Sequence, residues 1–109
     1  MNDIETTYKI LYQLEAEEDL KEIANYYQQT GSEEIAERNI DRILNSIDSL
    51  EKMPHRCQTS DFSENIRKLS VPNLPYIVFF KIIGENVYIL NIFNAKRSQK
   101  ILQSKYKNS

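Results

Sequence analysis

Between Ala16 and Leu50 the chain carries two apolar stripes at helical spacing, separated only by Thr30-Gly31-Ser32. The first runs through Leu20, Ile23, Ala24 and Tyr27; the second through Ala36, Ile40, Ile43, Leu44, Ile47 and Leu50. Residues three, four and seven positions apart share one side of an α-helix, so each stripe needs a surface to bury against. Glu15, Glu17, Glu18 and Asp19 suit the positive end of the first helix, and Glu33 and Glu34 that of the second. Gly31 is expected to close the first helix in the left-handed conformation, and Ser32 to cap the next. The spacing predicts helices over about 16–29 and 33–50, with Pro54 as the stop. So short a link makes them an antiparallel hairpin.

The flanking segments have a different period. From Thr7 to Leu14 apolar and polar residues alternate, with Tyr8, Ile10, Tyr12 and Leu14 on one face, which reads as a strand. Residues 54–64 show no period and read as a loop. Ile66 to Val71 is a short strand with Arg67 on the same face as Leu69 and Val71; Pro72-Asn73-Leu74-Pro75 is a turn. Tyr76 to Ile83 is apolar on both faces except at Lys81, as in a central strand covered on both sides. Gly84-Glu85-Asn86 supplies a hairpin, and Val87 to Phe93 the last strand. Residues 94–109 read as a short helix or a mobile extension. The order β-α-α-β-β-β predicts a two-layer α+β domain, a helical hairpin on a small, mostly antiparallel sheet. The hairpin covers one sheet face. A partner segment, the C-terminal tail or the sheet's own curl covers the other.

The length, 109 residues, fits one domain, with a core over about 7–97 and a basic tail over 98–109. The single cysteine, Cys57, excludes an internal disulfide and a cysteine zinc cluster, and fits a reducing compartment. The longest apolar run, Tyr76 to Phe80, is far short of a membrane span, and Met1 to Glu5 lack the marks of a signal peptide. A cytoplasmic protein is the expectation. Its net charge of −2 hides a division. Residues 1–64 hold fifteen acids and six bases. Residues 65–109 hold Glu85 alone against Arg67, Lys68, Lys81, Lys96, Arg97, Lys100, Lys105 and Lys107. One surface is therefore either suited to an anionic partner or a solvated face serving solubility.

The ordered set of segments resembles the RelE/ParE superfamily of type II toxin–antitoxin toxins. The points of likeness are Asp19-Leu20-x-x-Ile23-x-x-Tyr26 in the first helix and the Ala36-to-Leu50 stripe followed by Pro54. Further on they are Ile66-Arg67-x-Leu69-x-Val71, then Pro75-Tyr76-Ile77-Val78-Phe79-Phe80, and Val87-x-Ile89-Leu90-x-Ile92 leading to Lys96-Arg97. The resemblance spans about residues 7 to 97 and implies this same fold. Members of the RelE branch are ribosome-dependent mRNA endonucleases. They typically carry a second arginine at the start of the third strand, and Tyr or His after the last, where this chain has Ile77 and Asn94. Pro75-Tyr76 is more similar to the ParE branch, whose studied members inhibit DNA gyrase.

Chemistry points the same way. Cutting RNA through its 2′-hydroxyl needs a base, an acid and cations on the phosphate. The only histidine, His55, falls in the loop after the second helix, and Glu85 at a hairpin tip. The expectation is thus a ParE-like toxin, a growth inhibitor and plasmid-stabilisation factor acting on DNA gyrase. The resemblance implies a cognate antitoxin with an acidic amphipathic segment, and no cofactor or metal. The alternatives are a RelE-like endoribonuclease acting on ribosomal mRNA, with Arg67, Lys68, Tyr76, Lys96 and Arg97 as candidate catalytic residues, or a non-toxic binding module of the same fold. Candidate target- or antitoxin-binding residues are Arg67, Lys96, Arg97 and Lys100. Of the remaining candidates, His55 reads more readily as a solvated loop residue than as a base. Cys57 lacks a neighbour to activate it, and only one of Tyr26 and Tyr27 can sit on the apolar stripe.

Overall fold

The computed structural model describes residues 6–96. Arg97, Lys100 and the rest of the expected tail lie outside them. The elements run β1 (Lys9–Tyr12), α1 (Leu14–Thr30), α2 (Glu33–Asp48), β2 (Arg67–Ser70), β3 (Tyr76–Ile83) and β4 (Asn86–Asn94). This is the β-α-α-β-β-β order expected from the sequence. The four strands form one mixed sheet in the order β1-β4-β3-β2; β1 runs parallel to β4 and the other pairs are antiparallel.

The helices form where their stripes predict, with two local differences. Leu14 does not extend the β1 face. It opens α1 and is 70% exposed, while Gln13 is the extended residue at the helix start. Period-2 alternation runs on through Leu14, but Glu15 and Glu17 favour a helix beginning there, and the helix wins. Gly31 closes α1 without entering the left-handed region, at φ −133°, and its N–H donates to the Tyr27 carbonyl. A side chain there would meet that oxygen at 3.1 Å and Ile35 at 3.2 Å, which accounts for the glycine. Ser32 behaves as expected: its Oγ accepts from the Ile35 N–H and caps α2. At the far end of α2 a single 3₁₀ turn, Ser49–Glu51, carries the stripe on to buried Leu50. Arg56 folds back there and donates to the Lys52 and Met53 carbonyls, as a cation at a helix C-terminus should.

Two apolar clusters sit on the two sheet faces. Under the helices Ile23, Ile43, Ile47 and Leu50 meet Val78, Phe80, Val87 and Ile89. Across the sheet Ile66 and Phe79 form the second cluster with Phe62, Ile77, Leu90 and Phe93 packed against them. Val78, Phe79 and Phe80 are fully buried, so β3 is covered on both sides. Part of that cover comes from the loop that showed no period. Phe62 lies 5.3 Å from Phe79, centroid to centroid, and the same loop adds to the sheet edge. Thr59 bridges to Arg67, the Lys68 N–H donates to Gln58 and the Ser60 N–H to Ile66. The β3–β4 hairpin turns on Gly84 at φ +60°, a conformation glycine adopts without cost.

Candidate binding clefts

The first cleft opens where the pairing of β1 with β4 ends, next to a break in the β3–β4 ladder. Phe79 pairs with Asn91 and Phe80 with Ile89, so Leu90 is an extra residue on β4. Beyond this bulge the Ile92 N–H donates to the carboxylate of Asp19 on α1, at 2.8 Å. The Asn91 side-chain amide donates to Asp19 and Glu15. A helix side chain thus serves as the acceptor on the side of β4 where pairing with β1 has stopped at Ile89. Burial pushes the Asp19 carboxyl up; the Ile92 and Asn91 hydrogen bonds oppose this, and the charges of Glu22 and Glu18 add to it.

Around this pin opens a cleft of about 590 Å³, with Glu22, Tyr26, Tyr27 and Asn39 from the helices and Tyr76, Asn94 and Lys96 from the sheet side. The Tyr76 and Tyr27 hydroxyls lie 3.4 Å apart. Tyr27 is the half-buried member of its pair and Tyr26 the exposed one, at 57%. The cleft wall is mostly amide, phenol and carboxylate. It can hold hydrogen-bonding side chains, and its charge favours cations.

Arg67 lies elsewhere. It begins β2 opposite Phe80, and its half-buried guanidinium donates from Nη1 to the carbonyls of Cys57, at 2.6 Å, and His55, at 3.2 Å. These bonds fasten the 54–60 segment to the sheet. His55 is exposed and sits edge-on to Tyr8, centroids 6.0 Å apart. Cys57 is buried, and burial pushes its thiol up despite Arg56 and Arg67 nearby, so it is a poor nucleophile. With Glu64, Asn65, Lys81, Ile82 and Ile83, Arg67 and His55 line a second, smaller cleft of about 300 Å³.

Of the residues the sequence nominated, Tyr76 and Lys96 therefore share one cleft and Arg67 lines the other. Lys68 faces Asp61 across 3.7 Å at the surface. Arg97 and Lys100 lie outside the described residues. Sequence reasoning missed Asp19 and Asn91 as cleft residues, although a polar Asn91 between Leu90 and Ile92 was the visible sign. It also passed over Lys81, the one charge in an apolar strand. Among the described residues no three of His, Cys, Asp and Glu gather to hold a metal ion, and no helix is long and apolar enough to cross a membrane.

Comparison with known proteins places this architecture. Fourteen solved chains match. A chain of the chromosomal ParDE toxin–antitoxin system from P. aeruginosa is similar over 85% of this chain and 98% of its own, with TM-score 0.75 at 18% identity. The isolated E. coli RelE toxin is similar over 92% and 97%, with TM-score 0.50 at 14% identity. No curated protein sequence matches. The family profile described as the ParE toxin of the type II toxin–antitoxin system parDE matches residues 10–99. The chain belongs to that ParE toxin family, within the RelE/ParE fold.

Proposed function

We propose that this protein is a growth-arresting toxin that acts by binding, with DNA gyrase as its target, and that an acidic amphipathic segment of a cognate antitoxin neutralises it. The family supplies the toxin and implies the antitoxin. The observation that favours binding over RNA cleavage is the separation of the candidate catalytic groups. A ribonuclease would need cations on the phosphate beside a proton-transfer pair. Here Arg67 lines the second cleft, with its Nη1 on two main-chain carbonyls. Tyr76 and Lys96, the other candidate catalytic groups, line a different cleft among carboxylates that repel a phosphate.

The test is a supercoiling assay with purified gyrase and the full chain, alongside primer extension on a message translated with and without it. The proposal expects loss of supercoiling and an uncut message. Unchanged supercoiling at high protein excess removes gyrase as the target. Codon-phased cuts that disappear in Arg67→Ala replace this reading with the endoribonuclease.

A further inference from the structure

The buried residues of α2 are Ala36, Asn39, Ile43 and Ile47. Asn39 alone among them is polar, on a helix face where the neighbouring turns carry apolar side chains. It is 7% exposed and lines the first cleft. Its side-chain amide makes no hydrogen bond among the described residues, yet it is not sealed off from the cleft. A buried amide so placed costs stability until something pairs with it.

The surroundings of Asn39 select the partner. Asp19 and Glu22 set two carboxylates on the same wall. Among the described residues neither lies within ion-pair distance of a basic side chain. The Ile92 and Asn91 groups that donate to Asp19 are neutral, so its oxygens are bonded but its charge is not cancelled. Tyr26, Tyr27 and Tyr76 add phenol rings, whose faces attract cations. Carboxylates, an amide oxygen and aromatic rings together accept an ammonium or guanidinium group and repel a phosphate. Lys96 is the one base of the lining, exposed at its rim.

We propose that the first cleft is a binding site for a cationic side chain, and that the 97–109 segment of this same chain supplies it. The described residues end at Lys96 on the cleft's rim, so the segment starts where the cleft opens. It carries Arg97, Lys100, Lys105 and Lys107 and no acidic side chain. Lys100 is four residues beyond the rim, a reach of at most about 14 Å for extended chain. Ile101 and Leu102 follow it and match the exposed Tyr26. A group tethered this closely has an effective concentration on the order of millimolar, which a separate cation at a lower level does not match. The inference stands on the cleft and the sequence, and holds whatever the toxin's target.

The test compares the isotope-labelled full chain with a variant combining Arg97→Gln, Lys100→Gln, Lys105→Gln and Lys107→Gln. The expected result is a displaced Asn39 side-chain amide signal in the variant, with the amides of β2 and β3 unmoved to certify folding. Free N-acetyl-arginine amide should then shift the Asn39 signal of the variant at about tenfold lower concentration than that of the parent, as for a site already filled. Glu22→Lys, at an exposed position of α1, should move the parent's Asn39 signal towards the variant's. In the parent, nuclear Overhauser contacts should join side chains of the 97–107 stretch to the rings of Tyr26 or Tyr76. An Asn39 signal identical in parent and variant, or arginine amide binding both equally, would overturn the proposal. So would contacts found only between differently labelled copies in a mixed sample, which would make a second copy the occupant.

Discussion

The two clefts handle buried charge in opposite ways. At the first, Asp19 is an anion among other acids, yet its oxygens accept from the Ile92 N–H and the Asn91 amide, so the fold itself uses the charge. At the second, Arg67 gives two hydrogen bonds to neutral carbonyls and Lys81 has no ion-pair partner among the described residues. Satisfied charge holds a frame together; unsatisfied charge awaits something outside it. The larger cleft is therefore chiefly a joint within the chain and the smaller one the better candidate for recognising another molecule, an order that size alone would reverse.

Removing the joint should produce the largest effect. Asp19→Ala leaves the buried Ile92 N–H without its charged acceptor and the Asn91 amide without one of its two carboxylates, and should cost about 1.5–3 kcal/mol by urea unfolding. Asp19→Asn keeps an acceptor oxygen and should cost far less at neutral pH. The two variants also carry a pH signature. Because the folded Asp19 carboxyl titrates above 3.8, its ordinary value, the parent takes up this proton more readily when folded. Its stability relative to Asp19→Asn is then highest below 3.8 and falls as pH rises through the folded value. A gap between parent and variant that stays constant across acidic pH would show that Asp19 bears no burial penalty.

At the second cleft the expected loss is smaller. Arg67→Ala frees two carbonyls that water can reach, for about 1–2 kcal/mol, with faster hydrogen exchange in the 54–60 segment as the local readout. If Arg67→Ala proves as damaging as Asp19→Ala, the contrast between joint and recognition site fails. Lys68 marks the floor. Its contact with Asp61, whose side chain is 82% exposed, should contribute at most about 0.5 kcal/mol, and Lys68→Ala should unfold at nearly the parent's urea midpoint.

The element order was readable because each stripe repeats a period over many residues. The Ala36-to-Leu50 stripe leaves little freedom, and Tyr76 to Ile83 announces a strand buried on both faces. Where two periods overlap, at Leu14, the sequence is ambiguous and the first-turn acids decide. The clefts were less legible. Nothing local to Asp19 says that its partner is 73 positions away, and nothing local to Leu90 says that β4 slips by one residue there. Arg67 stood out as a charge on an apolar strand face. The carbonyls it meets belong to a loop whose course no periodicity encodes.

The parallel pairing of β1 with β4 also fixes the order in which this protein can come into being. Among the described strands the first to leave the ribosome has as its partner the last one made, and the helical hairpin covers a sheet whose three antiparallel members follow it in the chain. Until Asn86–Asn94 has been synthesised, β1 has no ladder to join, and the apolar stripes of α1 and α2 lack much of the surface that buries them. Contacts of such long sequence separation form late and slowly. The nascent chain therefore carries the apolar stripes of its helices without their full cover until β4 has been made, the kind of transient exposure that favours aggregation.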